Sequence, residues 1–170
     1  MKRIITILIL SLFLGLVIKI GFKAKDLYHR KMSIVNNNMP SFNFYNLNKQ
    51  LFTNDSLNNK MSTIFIYFNT ECDFCHHEIQ EILREKDIFK NVNVLFISSE
   101  STVEIKDFVE KQSPIKYDFI RFLKDSSDVF YNTFGILSVP SIIIYDKNNM
   151  YSNKYSGEVK IEAIIKDIEL

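Results

Sequence analysis

The stretch FIYFNTECDFCHHEIQEIL, residues 65–83, contains both cysteines of the 170-residue chain, Cys72 and Cys75. Its first residues belong to an apolar, β-branched and aromatic run from Thr63 to Asn69, a pattern typical of a central strand buried on both faces. From Cys75 to Phe89, apolar residues recur at helical spacing among charged ones, which predicts an amphipathic helix starting at the second cysteine. The sequence therefore predicts a C-x-x-C pair between the end of a buried strand and the N-terminus of a helix.

The composition indicates one folded domain with an appendage. The chain is 46% hydrophobic and 14% aromatic, which is enough to build a core. The positive charge of its 21 lysines and arginines is nearly cancelled by 20 aspartates and glutamates. The chain therefore has no large net positive charge to attract nucleic acid, and we expect no nucleic-acid partner. A disulfide between two cysteines three positions apart closes only a short ring and cannot stabilise the fold by closing a long loop. The spacing therefore indicates a chemically reactive pair.

The appendage is N-terminal, over residues 1–25. Its apolar run from Ile4 to Ile18 comes close to spanning a bilayer once flanking residues are included. A cleaved signal peptide looks similar, but the small-x-small cleavage pattern is absent, so we favour an uncleaved anchor. Residues 26–38 are typical of a polar tether and residues 39–170 of the folded domain. Five basic residues after the run would, by the positive-inside rule, keep this domain in the cytoplasm.

The remaining segments predict an α/β sandwich. Strand, helix, strand and helix are followed by a strand, a short helix, a hairpin and a last helix, so the first strands should be parallel and the last two antiparallel. This order places the strand before Cys72 near the middle of the sheet. Reaction sites in such sheets lie at the carboxyl ends of the strands, where the cysteines are expected.

The helix N-terminus suits thiol chemistry, because free amides and the positive end of the helix dipole stabilise a thiolate in the first turn. Cys72 is the natural attacking thiol, and Cys75 is close enough to release a mixed disulfide by closing a ring. Between them, the carboxylate of Asp73 disfavours the thiolate, and Phe74 offers apolar surface to a peptide substrate.

Three motifs together resemble the membrane-anchored thioredoxin-like thiol-disulfide oxidoreductases of the TlpA/ResA type. These are FIYFNTECDFC, SVPSIIIYD (residues 138–146) and YSG (residues 155–157) followed by a helix. The resemblance covers residues 39–170. It implies an α/β, thioredoxin-like three-layer sandwich with a central mixed sheet, to which the N-terminal hydrophobic helix is added.

The resemblance also implies roles for individual residues. Pro140 is expected to be a cis proline facing the cysteine pair, with the backbone of Val139 available to pair with an extended substrate. Glu78 matches an acidic residue that assists proton transfer. The sequence departs from the family pattern at two positions. Glu71 replaces the usual tryptophan and should disfavour the Cys72 thiolate, and Gln80 stands where a proline is common. The substrate and redox potential of the family therefore carry over to this chain less directly than the fold does.

The function predicted from the resemblance is exchange of the Cys72–Cys75 disulfide with protein thiols, as a reductant outside the cytoplasmic membrane. Its partners are protein thiol or disulfide substrates and a membrane electron donor or acceptor, and the N-terminal helix holds it in the cytoplasmic membrane. No cofactor or metal is expected.

Several alternatives for the cysteine pair remain open. The cysteines could be reduced and buried as small hydrophobes, in polar surroundings that do not favour this. A zinc site would take both cysteines and either His76 or His77, which supplies three ligands where four are needed. The sequence CDFCH also satisfies the C-x-x-C-H motif of haem attachment, although it joins a strand to a helix here.

The residues around the cysteine pair bear on three further hypotheses. A peroxiredoxin is disfavoured because its cysteine is expected in a Thr-x-x-Cys setting, and Asn69 stands three places before Cys72. Glu78 could be only a carboxylate favoured by the helix dipole. The domain could also be a non-catalytic binding module that presents Phe74 and Val139 to a partner.

Overall fold

The computed structural model describes part of the chain: residues 13, 15, 17–21, 38–111, 117–136 and 138–168. Residues 13, 15 and 17–21 are helical. Within the described ranges, no helix combines the length and apolar character needed to cross a membrane. Most of the predicted anchor and all of the predicted tether except Asn38 lie outside these ranges, and both stay predictions.

The described residues form one mixed sheet, whose strands are β1 (Asn43–Asn46), β2 (Leu51–Thr53), β3 (Ser62–Tyr67), β4 (Val92–Ser98), β5 (Ile120–Lys124), β6 (Ser141–Tyr145) and β7 (Tyr151–Ser156). Their order across the sheet is β2-β1-β5-β4-β3-β6-β7. Strands β3, β4 and β5 are parallel, whereas the other neighbouring pairs are antiparallel. The predicted central strand is β3, which has a partner on each side.

Five α-helices connect or flank these strands in the described part of the chain. They are α1 (Asp73–Arg84), α2 (Lys86–Phe89), α3 (Thr102–Lys111), α4 (Val129–Phe134) and α5 (Ile161–Asp167), with a 3₁₀ turn at Asn54–Ser56.

The predicted start of the first helix at Cys75 is wrong. The helix begins at Asp73, because Cys72 has extended backbone angles (φ −92°, ψ 109°) and its sulfur accepts the amide of Cys75 as an N-cap. The helix also ends earlier than predicted, since Glu85 leaves helical geometry (φ −93°, ψ 24°) and separates α1 from α2.

The sheet is covered on both faces, which confirms the predicted three-layer sandwich. In β3, Ile64 and Ile66 pack into a core cluster with the apolar faces of α1, α3 and α5. Phe65, between them, belongs to a second cluster on the opposite face with Phe130 and Phe134 of α4. Because successive side chains of a strand point to opposite faces, a strand buried on both faces needs the continuous apolar run seen in the sequence.

Candidate redox site

The cysteine pair lies just past the carboxyl end of β3 and forms a disulfide. Asn69 forms the turn that leads from β3 to Cys72. Its side-chain oxygen accepts a hydrogen bond from the Glu71 amide at 2.8 Å, and its backbone oxygen accepts one from the Cys72 amide at 3.2 Å. This turn delivers Cys72 to the N-cap of α1, where its sulfur accepts the Cys75 amide at 3.2 Å. The first sulfur is therefore held at the positive end of the helix dipole, as predicted.

The two cysteines differ in exposure. Cys75 is 1% exposed and belongs to the core cluster, whereas Cys72 is half-buried. Phe74, between them, is 59% exposed, and Asp73 is exposed as well. Because an attacking thiol has to reach a protein substrate and a resolving thiol does not, the difference in exposure matches the predicted roles of attacking Cys72 and resolving Cys75.

The peptide bond between Val139 and Pro140 is cis, which confirms the expectation from the resemblance. The next residue, Ser141, pairs with Tyr67 at the carboxyl end of β3, so this bond lies at the edge of the sheet from which the chain continues to the cysteines. Val139 packs against the same core cluster as Cys72. The fold thus brings the predicted cysteine and proline segments to one end of the sheet.

Glu78 lies on α1, three residues after Cys75, and is buried like it (1% exposed). One carboxylate oxygen, Oε2, accepts the Val159 amide at 3.5 Å. Burial raises the pKa of Glu78 to about 7, and the nearby Glu158 carboxylate adds to the rise, whereas the Val159 amide opposes it. A carboxylate favoured only by the helix dipole would be exposed in the first turn, and Glu78 is neither exposed nor in that turn.

Comparison with known proteins gives the family. The sequence model of the AhpC/TSA family matches residues 35–151, more than half of the chain. The chain belongs to the AhpC/TSA family. With a disulfide at the N-terminus of α1 and a cis proline at the same end of the sheet, it is a thioredoxin-like thiol-disulfide oxidoreductase. No curated protein sequence is significantly similar to the chain.

Solved structures agree on the thioredoxin-like fold. A thiol:disulfide interchange protein from Chlorobium tepidum is 19% identical, with a TM-score of 0.64, over 77% of this chain and 92% of the other. A secreted Mycobacterium tuberculosis disulfide oxidoreductase is 15% identical (TM-score 0.62, 74% and 92% covered). A thiol peroxidase from Chromobacterium violaceum is 16% identical (TM-score 0.65, 76% and 82% covered).

The two histidines of this oxidoreductase that follow Cys75 differ from each other. The Nε2 atom of His76 lies 2.7 Å from the Thr70 backbone oxygen. The His76 ring packs edge-on against the ring of Phe108, with 4.9 Å between the ring centroids. His77 is exposed, but it is more than an ordinary surface residue: its Nδ1 contacts the Glu158 carboxylate, and its Nε2 lies 3.6 Å from Glu81. His76 thus supports the loop before the disulfide, and His77 belongs to the surroundings of Glu78.

Two open cavities border the redox site of the oxidoreductase. One, of about 400 Å³, is rich in carboxylates, and the other, of about 470 Å³, includes the side of Val139. The first is lined by Thr70, Glu71, Asp73, His76, Glu104, Asp107, Phe108 and Lys111, and the second by Tyr67, Asp128, Tyr131, Ile136, Ser138 and Val139.

Glu100 supports the site and was not predicted from the sequence. Its carboxylate accepts the amide and the hydroxyl of Thr70, each at 2.8 Å, and the hydroxyl of Ser98 at 3.0 Å. These bonds tie the end of β4 to the loop that carries Cys72. No sequence motif signals this contact, because Thr70 and Glu100 are 30 residues apart.

We expect Glu100→Gln to lower the free energy of unfolding by about 2 kcal/mol, because the amide cannot accept all three hydrogen bonds and loses the charge that strengthens them. Chemical denaturation of the oxidised protein measures the loss. Glu110→Gln, at an exposed position of α3, is the matched control and should unfold like wild type. Equal stability of the two variants would show that the Glu100 bonds do not hold the loop.

Proposed function

We propose that this oxidoreductase is tethered to the cytoplasmic membrane and reduces disulfides of proteins outside that membrane. Its resemblance to the TlpA/ResA type supports the location, as does its structural similarity to a disulfide oxidoreductase that is secreted. The apolar run from Ile4 to Ile18 is the proposed tether. A membrane protein that donates electrons would restore the dithiol after each cycle.

The proposed cycle uses three residues. The Cys72 thiolate attacks a substrate disulfide, forms a mixed disulfide and expels the first substrate thiolate. The Glu78 carboxylate then takes the proton of the Cys75 thiol, and the resulting thiolate attacks Cys72. This step closes the Cys72–Cys75 disulfide and releases the second substrate thiolate, so two electrons pass to the substrate and its thiolates take up protons from solvent.

The substrate is proposed to be a polypeptide in extended conformation. Phe74 supplies exposed apolar surface beside the disulfide, and the backbone of Val139 supplies hydrogen bonds at the edge formed by the cis peptide. The pairing of a half-buried Cys72 with a buried Cys75 at one helix N-terminus is the observation that carries the proposal.

Equilibration of the full chain in graded thiol/disulfide buffers tests it, followed by alkylation and mass spectrometry. We expect both thiols to disappear together as one two-electron couple, at a potential near the reducing end of known pairs, roughly −270 mV. A strongly oxidising potential would reverse the proposed direction. Thiols that do not couple, or a purified protein carrying haem or zinc, would overturn the proposed redox function.

Peroxide consumption separates the proposed activity from that of the thiol peroxidase it resembles in fold. With hydrogen peroxide as the only oxidant, the reduced chain should oxidise far more slowly than with a protein disulfide such as insulin. Faster oxidation by peroxide would assign the chain to peroxide reduction instead.

A reporter fused after Leu170 tests the location. A reporter that is active only outside the cytoplasmic membrane should work in this fusion. A silent fusion, together with an active cytoplasmic reporter at the same position, would place the domain in the cytoplasm, as the basic residues after the apolar run suggest.

A further inference from the structure

The buried carboxyl of Glu78 is only partly satisfied by hydrogen bonds. Oε2 accepts the Val159 amide, whereas Oε1 has no hydrogen-bond partner among the described residues. An unpaired oxygen in the interior favours the protonated acid, because the carboxylate loses its hydration. Charged groups near Glu78 therefore have a large influence on the pH at which its carboxyl takes up or releases a proton.

A contacting pair of residues, His77 and Glu158, flanks Glu78 and the amide that binds it. Glu158 directly precedes Val159, whose amide binds Glu78, and its own carboxylate contacts Nδ1 of His77, the residue beside Glu78 on α1. The side chains of His77 and Glu158 are 58% and 40% exposed, so both are in contact with water. The pair lines an open cavity of about 620 Å³.

The charges around Glu78 act in opposite directions. Burial is the largest influence and raises the pKa of Glu78, the carboxylates of Glu158 and Glu81 raise it further, and the imidazole of His77 lowers it. The charged and titratable groups on this side are His77 and Glu81 from α1, Glu158 and Lys160 from the segment before α5, and Glu162 from α5. In the core cluster beneath α1, the titratable groups are Cys75 and, packed against the cluster, Cys72 and Tyr155; its other members are apolar.

We infer that His77 and Glu158 are positioning residues that govern proton uptake and release by Glu78. This inference rests on the proposed function, in which the Glu78 carboxylate takes the proton of Cys75 and has to return it to solvent before the next cycle. The proton moves from the Cys75 sulfur to Glu78 and is then released to solvent. No redox step is added to the cycle.

Titration of the Glu78 carboxyl tests the inference directly. The oxidised full chain, labelled with ¹³C at glutamate carboxyls and held in detergent micelles, is titrated by NMR, and the Glu78 signal is assigned by its loss in Glu78→Gln. We expect His77→Gln to raise the midpoint and Glu158→Gln to lower it, each by about half a pH unit. In the second variant, His77 keeps Glu81 as a partner at 3.6 Å.

Glu162→Gln is the matched control, since Glu162 lines the same cavity and is not among the groups that act on Glu78. It should titrate like wild type. The inference is wrong if either His77→Gln or Glu158→Gln leaves the Glu78 midpoint unchanged, or if both move it in the same direction. A purely structural role for the pair would change the stability and leave the midpoint in place.

The pH profile of turnover separates this inference from the proposed function. The resolving step, followed as release of the second thiol, should shift its pH dependence in each variant in the same direction as the Glu78 midpoint. Midpoints that move as expected with an unchanged turnover profile would support the influence of His77 and Glu158 on Glu78, and would remove Glu78 from the catalytic cycle.

Discussion

Cys75→Ser should accumulate mixed disulfides with protein substrates, whereas Cys72→Ser should trap nothing. The reason is that Cys72, half-buried at the N-cap, makes the first attack, and buried Cys75 only resolves the product. Both variants should lose turnover by at least about a thousandfold, since a nucleophile and its resolving partner act as a unit. Non-reducing gels and mass spectrometry of the trapped adducts give the measurement.

The reduced wild-type protein is the control for this experiment, because neither serine variant can form the disulfide. Thermal unfolding of the three proteins should be compared before activity, since serine at the buried position places a hydroxyl in the core. If the folded Cys72→Ser variant traps substrates and Cys75→Ser does not, the two roles are exchanged. If both variants replace the wild-type protein in cells without loss of its function, the cysteines are not needed and the domain is a binding module.

The local part of the site could be predicted from the sequence because its signals are local. A continuous apolar run requires a strand buried on both faces, and the C-x-x-C pair follows it within a few residues. Ser101 and Glu104 stand at capping-box spacing before the apolar positions of α3, and both bonds form: the Ser101 amide donates to Glu104 at 2.8 Å and the Glu104 amide donates to Ser101 at 3.2 Å. Gly135, which follows α4, adopts the left-handed conformation in which glycine commonly ends a helix.

The contacts that tune the site could not be predicted, because they join residues far apart in the sequence. His77 and Glu158 are 81 residues apart and meet only after α1 packs beside α5. The start of α1 was missed for a different reason. Apolar periodicity marks the buried face of a helix and not its cap, and Cys72 caps the helix through a sulfur atom that sequence patterns do not include among capping groups.

Glu78→Gln should remove a pH-dependent component of stability of about 3 kcal/mol. In the unfolded chain, Glu78 ionises near pH 4.5, whereas in the folded chain it keeps its proton up to about pH 7. Between these values, the folded protein binds one more proton than the unfolded chain. The free energy of unfolding therefore falls as the pH rises through this window, and the loss is complete above about pH 7.

Urea denaturation of the oxidised protein from pH 4 to pH 8 measures this component as the difference between wild type and Glu78→Gln. The two curves should diverge steadily as the pH rises, with the variant gaining relative stability, because its amide cannot ionise. Glu110→Gln serves again as the control, since it removes an exposed carboxyl of α3. Parallel curves for Glu78→Gln as well would show that Glu78 ionises like an exposed acid, and that it cannot exchange a proton with Cys75 near neutral pH.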